Sequence, residues 1–207
     1  MKVFEEMKLN EFIDKVASSD PVPGGGSVSA MAGSTAAALS SMVSGLTIGK
    51  KKYAEVEEEI KEIKIKADEL KDKLLKDIEK DSEAFDLVMK AFGMPKSTDE
   101  EKAKRKEAIQ TSMKKAAEVP FDVAKSCFEV MKLAEVVVEK GNKNAITDGA
   151  VSAMLARTAV LGALYNVKIN LDSIKDDDFV EKYSKEVKDL EEKTRELEEV
   201  ILSKVGF

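Results

Sequence analysis

One carboxylate in the sequence is placed where it could transfer protons. At about 100° per residue, residues 56–92 form a helical face about 80° wide on which Asp81 is the only polar side chain. The apolar members of this face are Val56, Ile60, Ile63, Ala67, Leu70, Leu74, Ile78, Phe85, Val88 and Phe92. Burying a carboxylate is costly unless it is paired or protonated, and burial raises its pKa towards neutrality. Asp81 is therefore a candidate proton donor and acceptor.

A structural role for Asp81 fits the same pattern. Arg157 stands alone in the apolar part of a later predicted helix and is the obvious partner for a buried ion pair. Asp81 could instead cap a neighbouring helix. Glu83 and Asp86 lie off the apolar face, so we expect them to be solvated. The residues alone leave catalysis and structure open as alternatives.

The chain contains no histidine and only one cysteine, Cys127. Acid–base catalysis must therefore come from Asp, Glu, Lys, Tyr or Cys side chains, and a His-ligated metal site is excluded. Because no histidine can activate it, Cys127 is predicted to be a small core residue. A single cysteine forms no intramolecular disulfide, and the acidic N-terminus does not resemble a signal peptide. We therefore expect a cytoplasmic protein.

A glycine-rich loop opens the longest uncharged segment of the chain. No charged residue occurs between Asp20 and Lys50, although 36% of all residues are charged. Prolines exclude a helix at the start of this segment, and glycines let the backbone approach a ligand closely. Ser27 is predicted to cap the helix that follows, whose positive end favours anions. The residues of this predicted binding loop are Pro23, Gly24, Gly25, Gly26 and Ser27.

Several polar residues elsewhere are candidate ligand contacts, and each has a structural alternative. Lys50, Lys51 and Lys96 follow predicted helix ends, where cations are commonly solvated or interact with the helix dipole. Asn142 lies in a turn between helices. Asn166 and Asn170 share one helix face, and amides that become buried there need hydrogen-bond partners.

The sequence predicts an all-α fold, a single-domain multi-helix bundle with long antiparallel helices that spans residues 1–207. Helices are predicted at 10–18, 27–47, 52–92, 97–141, 147–170 and 176–203, with a kink or break at Pro120. The second and fifth helices carry little charge and are predicted to be the inner pair, whereas the charged sixth helix is peripheral. The uncharged segment is long enough to span a membrane, but its Ser, Gly and Pro content favours a helix packed inside a bundle.

Two features bear on partners. Small residues at i, i+3 and i+4 in the second and fifth helices permit close approach of another subunit, so we expect a homodimer. The net charge is −6, with acidic and basic residues interspersed. This mixed, mildly acidic surface argues against non-specific binding of nucleic acid, and no membrane association is expected.

Motifs along nearly the whole chain, in order, resemble those of one family. The chain is similar to the cyclodeaminase domain of formiminotransferase-cyclodeaminase and to the related methenyltetrahydrofolate cyclohydrolases. The segments that carry this resemblance are Pro23-Gly24-Gly25-Gly26-Ser27-Val28, Leu46-Thr47-Ile48-Gly49-Lys50-Lys51, Asp81-Ser82-Glu83-Ala84-Phe85, Met94-Pro95-Lys96-Ser97-Thr98, Val119-Pro120, Gly141-Asn142, Thr147-Asp148 and Asn166-Val167-Lys168-Ile169-Asn170-Leu171.

The resemblance implies a dimeric helical enzyme that acts on tetrahydrofolate derivatives, with Asp81 as the acid/base. It implies a reaction that converts 5-formimino-tetrahydrofolate to 5,10-methenyl-tetrahydrofolate and ammonia. The alternatives are cyclohydrolysis of the methenyl compound and a non-catalytic folate-binding dimer. Neither a metal nor a cofactor beyond the folate substrate is expected. The substrate-binding residues implied are Pro23, Gly24, Gly25, Gly26, Ser27, Asn142, Asp148, Asn166 and Asn170, with Lys50, Lys51 and Lys96 at the glutamate carboxylates.

Overall fold

The computed structural model describes residues 4–206 and consists of six α-helices joined by short turns. The helices are α1 (Leu9–Val16), α2 (Gly25–Gly45), α3 (Glu57–Phe92), α4 (Asp99–Lys140), α5 (Ile146–Leu171) and α6 (Asp177–Ser203). Short 3-10 turns occupy Phe4–Glu6, Lys51–Val56 and Lys143–Ala145. Within the described residues there is no strand, which confirms the all-α prediction.

Helix α2 runs antiparallel to both α3 and α5. Hydrogen bonds join Ser27 to Ile78 near its start and Ser41 to Asp68 near its end, which fixes its direction against α3. Against α5, Gly25 lies beside Asn166, whereas the hydroxyl of Ser40 lies 2.9 Å from that of Ser152. The start of α2 and the end of α5 therefore meet at the same end of the bundle.

The second half of α4 is the most enclosed part of the chain. This helix contacts α2, α3, α5 and α6, and its buried residues run from Ser112 to Val138. The prediction that α2 and α5 are the inner pair needs correction, because each also carries exposed apolar side chains, which are Met42 on α2 and Val151, Met154, Tyr165 and Ile169 on α5. Helix α6 is peripheral as predicted, since it buries only Val187, Leu190, Thr194 and Ile201.

Small residues let α2 approach the centre of the bundle. Ala30, Ala36 and Ala37 are fully buried, and a Cβ atom at Gly33 would overlap the sulfur of Cys127 on α4. Cys127 is a core residue, as predicted, and burial raises the pKa of its thiol to about 12. The low charge of α2 is thus explained by its close contact with α3, α4 and α5.

Helix α4 continues through Pro120 without the predicted break. A proline lacks the N–H that would bind the carbonyl four residues earlier, which here belongs to Ala116. The side-chain amide of Asn170 on α5 donates to that carbonyl at 2.8 Å. A partner on the neighbouring helix therefore replaces the hydrogen bond that Pro120 removes.

Two helix starts differ from the sequence prediction. Helix α3 begins at Glu57 rather than near residue 52, because the preceding residues form a 3-10 turn. Ser27 does not cap α2: the cap position is Gly24, no side chain caps it, and Ser27 lies inside the first turn. The capping box of α4 is present, with Thr98 at the cap position and Glu101 three residues later.

The segment with membrane-span character is α5 rather than the uncharged segment that contains α2. The stretch Lys143–Leu171 is long and apolar enough to cross a membrane by length and composition, and half of its most apolar window is buried. Its contacts with α2, α4 and α6 account for that composition, because a helix inside a bundle has apolar side chains on several faces.

Candidate active site

Asp81 of α3 lies against the first turn of α2. Its Oδ2 accepts a hydrogen bond from the hydroxyl of Ser27 at 2.9 Å, and the backbone N–H of Ser27 donates to the same carboxyl group. Ser27 is fully buried, and its hydroxyl also lies 3.1 Å from the carbonyl of Ile78 and 3.3 Å from the hydroxyl of Ser82. The two helices thus hold the carboxyl group in one position.

The surroundings of Asp81 contain two opposing influences on its pKa. Burial raises the pKa above its ordinary value, whereas the hydrogen bonds from Ser27 lower it. The positive end of α2 also favours the charged form. No cationic side chain forms an ion pair with Asp81 among residues 4–206. A carboxyl group held by neutral donors, with a raised pKa, can both accept and donate a proton.

Gly26 is the residue that lets the two helices meet at this point. A Cβ atom at position 26 would overlap Oδ1 of Asp81, so any side chain there would displace the carboxyl group. Gly26 has an ordinary helical backbone, and the requirement for glycine is therefore one of space. The sequence predicted that the backbone at Gly26 lies close to a ligand. Within the chain itself, the group closest to this position is the carboxyl group of Asp81.

The remaining loop residues lie around the carboxyl group. Pro23 is buried and follows a cis peptide bond from Val22, and Gly24 occupies the cap position of α2. Gly25 is exposed, and a Cβ atom there would lie 3.2 Å from the amide nitrogen of Asn166. That nitrogen donates to the carbonyl of Gly162, while the side-chain oxygen of Asn166 has no hydrogen-bond partner among the described residues. Asn166 is therefore the available polar group beside the loop.

Asp77 is a buried acid of α3 that the sequence analysis missed, whereas Asp81 is half-buried. Its carboxylate binds Lys73 at 2.6 Å and Lys80 at 2.7 Å, and its side chain is 5% exposed. The lysines at i−4 and i+3 were the available signal for this arrangement. The structural alternative, in which Arg157 pairs with Asp81, does not occur, because Nε of Arg157 lies 3.1 Å from Glu198 of α6.

A cavity between α3 and α4 contains Asp77 rather than Asp81. It measures about 940 Å³. Four lysines and four acids line it, so it has no net preference for one sign of charge. Two lysines already neutralise Asp77, so Asp81 remains the candidate for the reactive group. Within the described part of the chain, no three His, Cys, Asp or Glu side chains are grouped for metal binding.

Four predicted substrate-binding residues lie at the opposite end of α2 from Asp81. Lys50 and Lys51 follow the end of α2 and are exposed, and Asp148 lies in the first turn of α5. Helix α2 has 21 residues, so the two ends are about 30 Å apart. Asn142 is buried: its amide donates to Leu46 at 3.0 Å, and its oxygen accepts from the N–H of Asn144.

Two further predicted residues occupy separate positions. Asn170 is one turn beyond Asn166, and its amide is bound by the carbonyls of Ala116 and Asn166. Lys96 lies in the turn between α3 and α4, in a small cavity with other basic residues. The protomer therefore brings together the loop, Asp81 and Asn166, but not the lysines or Asn142.

Comparison with known proteins identifies relatives along nearly the whole chain. The profile of the formiminotransferase-cyclodeaminase family matches residues 8–189. The chain is 46% identical over 182 residues to the methenyltetrahydrofolate cyclohydrolase of Methylorubrum extorquens, with 88% of each protein covered. It is 33% identical over 195 residues to the formimidoyltransferase-cyclodeaminase of Gallus gallus, covering 94% of this chain and 36% of that protein.

A solved structure agrees with these matches. The crystal structure of formiminotetrahydrofolate cyclodeaminase from Thermotoga maritima superposes with a TM-score of 0.81 and 35% sequence identity. The superposition covers 97% of this chain and 94% of that chain. The sequence match, the shared helical fold and the coverage lead to one conclusion: the chain belongs to the formiminotransferase-cyclodeaminase family.

Proposed function

We propose that the chain is an enzyme that performs acid–base chemistry at the one-carbon bridge between N5 and N10 of tetrahydrofolate. The observation that carries this proposal is the position of Asp81, a half-buried carboxyl group that accepts hydrogen bonds from Ser27 and has no cationic partner in the described residues. Such a group can accept a proton in one step and return it in the next.

Cyclohydrolysis of 5,10-methenyl-tetrahydrofolate is the first candidate, since the Methylorubrum extorquens relative is 46% identical over a similar length. Water attacks the bridging carbon, and the carboxylate of Asp81 accepts one of its protons as the C–O bond forms. Asp81 returns that proton to N5 as the C–N5 bond breaks. The second water proton is released when the formyl C=O bond forms, so the products are 10-formyl-tetrahydrofolate and one proton.

Cyclodeamination is the second candidate, favoured by the Thermotoga maritima structure at 35% identity and equivalent length. N10 attacks the carbon of a protonated formimino group on N5, and Asp81 accepts the N10 proton. It then passes this proton to the departing nitrogen, which leaves as ammonia and yields the methenyl compound. Both reactions pass through a tetrahedral carbon between the same two nitrogens, so one carboxyl group serves either.

The substrate contacts follow from what surrounds Asp81. Gly25 is exposed and lies beside Asn166, whose side-chain oxygen has no partner among the described residues, and we propose that both contact the pterin ring, which offers N–H donors. The reaction needs only proton transfers and positioning, so we propose that neither a metal nor a second cofactor takes part. The intracellular supply of reduced folates is consistent with a cytoplasmic enzyme.

A homodimer is part of the proposal. Helices α2 and α5 present a shared exposed surface, the α2/α5 face, formed by Met42, Leu46, Val151, Met154, Tyr165 and Ile169. Contiguous apolar surfaces of this kind mark interaction sites. In a two-fold pair with antiparallel α2 helices, the end that holds Asp81 meets the partner's end of α2 that precedes Lys50 and Lys51. This arrangement would unite residues that one protomer keeps about 30 Å apart.

The methenyl chromophore provides the test of the proposal. We expect purified protein to accelerate the loss of methenyl absorbance when 5,10-methenyl-tetrahydrofolate is supplied. Appearance of that absorbance from 5-formimino-tetrahydrofolate, with release of ammonia, supports cyclodeamination. Binding of both folates without turnover of either would refute the enzymatic proposal and leave a folate-binding dimer.

A further inference from the structure

Three oxygen atoms of α3 surround the hydroxyl of Ser27. Ile78, Asp81 and Ser82 occupy positions i, i+3 and i+4 of one helical turn, so they share the face that meets the start of α2. The Ser27 oxygen lies 2.9 Å from Oδ2 of Asp81, 3.1 Å from the carbonyl oxygen of Ile78 and 3.3 Å from the hydroxyl of Ser82. Ser82 is therefore connected to the carboxyl group through one intervening hydroxyl.

Ser82 is a buried polar residue to which the proposed function assigns no role. Its exposed fraction is 4%, and its hydroxyl has no hydrogen-bond partner other than Ser27 among residues 4–206. A serine inside a helix can bond its hydroxyl to the carbonyl four residues earlier, which here belongs to Ile78. That carbonyl instead accepts from the hydroxyl of Ser27. The hydrogen of Ser82 is thus available to the Ser27 oxygen alone.

The hydroxyl of Ser27 has a single hydrogen to share among these oxygens. An ionised carboxylate is the strongest acceptor of the three, and it is also the closest. The Ser27 hydrogen therefore points to Asp81 when the carboxyl group is ionised, and the lone pairs of the Ser27 oxygen remain able to accept. Ser82 is in place to donate to them, and a hydroxyl that accepts a hydrogen bond donates a stronger one.

The same oxygens provide for the protonated form of Asp81. A protonated carboxyl group is a donor, and the Ser27 oxygen at 2.9 Å can accept from it. The Ser27 hydrogen can then turn to the carbonyl of Ile78 at 3.1 Å. Because the Ser27 oxygen has two lone pairs, Ser82 can donate to it in both states. Asp81 is therefore hydrogen-bonded before and after it takes up a proton, without movement of either helix.

We propose that Ser82 is a positioning residue of the active site and that it acts on Asp81 only through Ser27. By donating to the Ser27 hydroxyl, Ser82 directs the Ser27 hydrogen to the carboxylate and stabilises the ionised form, which starts the reaction. This inference rests on the proposed function, in which Asp81 takes up a proton and returns it.

The charged groups near Asp81 leave this control to the hydroxyls. Helix α2 carries no charged side chain, and Asp77, one turn earlier on α3, is bound by Lys73 and Lys80. The turn Phe4–Glu6 contacts α3 at Glu79, which accepts from the N–H of Phe4. Burial and the hydrogen bonds from Ser27 are the influences on the pKa of Asp81. The charged residues of α4 that line the cavity with Asp77 are Lys115, Asp122, Lys125 and Glu129.

The test is the pH profile of kcat/KM for methenyl-tetrahydrofolate in the Ser82→Ala variant. Loss of the donor weakens the hydrogen bond that favours the charged carboxylate, so the pKa of Asp81 should rise. The acidic limb should therefore move to higher pH, by less than in Ser27→Ala. Above the limb, kcat/KM should remain within about twofold of wild type, because Ser82 does not touch the substrate.

Two further variants separate this role from a structural one. In a Ser27→Ala background, Ser82→Ala should not move the limb any further, because the connecting hydroxyl is absent. Ser34→Ala is the matched control, since Ser34 is buried in α2 and its hydroxyl donates to the carbonyl of Lys71 on α3 at 2.9 Å. It removes a hydrogen bond between the same two helices and should leave the limb in place.

A substrate-free measurement distinguishes this inference from the proposed function. In protein labelled with ¹³C at the aspartate carboxyl carbons, the Asp81 signal is the one missing from Asp81→Asn. Its titration should move to higher pH in Ser82→Ala; this result without folate turnover would refute the proposed function alone. Three results would overturn the role of Ser82: an unmoved titration, a movement to lower pH, or an equal movement in the Ser27→Ala background.

Discussion

Asp81 and Asp77 show how surroundings separate two acids on the same helix. Asp77 is the more buried, but Lys73 and Lys80 neutralise it, so it forms a stable ion-paired cluster. Asp81 receives only neutral donors from Ser27, and its pKa is raised by burial. A partly desolvated carboxyl group without a cation stays protonated at a higher pH than usual, which makes Asp81 the candidate for proton exchange.

Replacing Ser27 should change the titration of Asp81. The Ser27 hydroxyl lowers the pKa of Asp81, so the Ser27→Ala variant should have a higher pKa at this carboxyl group. The ionised carboxylate is the base, and the rate rises as pH increases through its pKa. We therefore expect the acidic limb of the kcat/KM profile to move to higher pH, because a hydrogen bond that favours the charged carboxylate is lost.

Ser40→Ala is the matched control for this prediction. Ser40 is also fully buried in α2, but its hydroxyl contacts Ser152 of α5 rather than the carboxyl group. The Ser40→Ala variant should be less stable than wild type, but the acidic limb of its kcat/KM profile should not move. An unchanged limb in the Ser27→Ala variant would show that Ser27 does not tune Asp81.

At the scale of single residues, the apolar stripe of α3 identified Asp81 as a candidate site residue. It did not predict which residues contact the Asp81 carboxyl group. The pattern depends only on helical spacing, and that spacing survives in the structure. The role of Ser27 could not be predicted, because its hydroxyl selects a partner 54 positions away only after α2 and α3 pack. Arg157 was the possible partner in the structural alternative because it stands alone in an apolar helix, but its partner, Glu198, comes from α6.

At the scale of the helix, the contact between α2 and α3 depends on the absence of a side chain at position 26. Gly→Ala in a helix normally stabilises by about 0.5–1 kcal/mol. We expect Gly26→Ala to destabilise the protein instead, because the added methyl group would overlap Asp81 and displace its carboxyl group. Thermal unfolding should show a lower melting temperature, and turnover should fall with it.

Gly45→Ala is the control within the same helix. A Cβ atom there would meet only Cε of Lys64 at 3.9 Å, which is ordinary contact. This variant should be as stable as wild type or slightly more stable, with full activity. If Gly26→Ala behaved in the same way as Gly45→Ala, the close approach of Asp81 to α2 would be incorrect.

Helices α4 and α5 are joined by the hydrogen bond from Asn170 to the carbonyl that Pro120 leaves free. Asn170→Ala should destabilise the protein by about 1–3 kcal/mol, because a buried carbonyl loses its partner. In a Pro120→Ala background the N–H of residue 120 can bind that carbonyl, so the cost of Asn170→Ala should be smaller. Urea unfolding of the four proteins in this cycle measures the difference; strictly additive effects would contradict the compensation.

The sequence predicted the helices themselves far better than their contacts. Hydrophobic spacing and capping residues are local, and they located all six helices to within a few residues, apart from the 3-10 turn before α3. A break at Pro120 was a reasonable local prediction, but the compensating amide of Asn170 comes from another helix. The enclosure of α4 likewise depends on which helices surround it.

At the scale of the whole molecule, the residues implied by the family resemblance lie at two ends of one protomer. Asp81, the glycine loop and Asn166 are at one end of α2, and Lys50 and Lys51 are at the other. The sequence could not separate these groups, because their distance depends on the length and direction of α2. The proposed homodimer through the α2/α5 face would bring both groups to one site.

Mixed dimers test this arrangement. An Asp81→Asn copy and a Lys50→Glu/Lys51→Glu copy should each have little activity alone. When the two are co-produced, half of the dimers are mixed and each mixed dimer has one complete site, so activity should return to about a quarter of wild type. Light scattering should show a dimer in every sample. Failure of the mixture to recover activity, with dimers present, would place each site within one protomer.

The central claim is that Asp81 transfers the proton at the one-carbon bridge, and one pair of variants tests it most directly. Turnover of the methenyl chromophore should fall about 10²- to 10⁴-fold in Asp81→Asn, while folate binding remains within a few-fold of wild type. Asp86→Asn, an exposed carboxyl change on the same helix, should retain wild-type turnover. Full activity in folded Asp81→Asn protein would contradict the account.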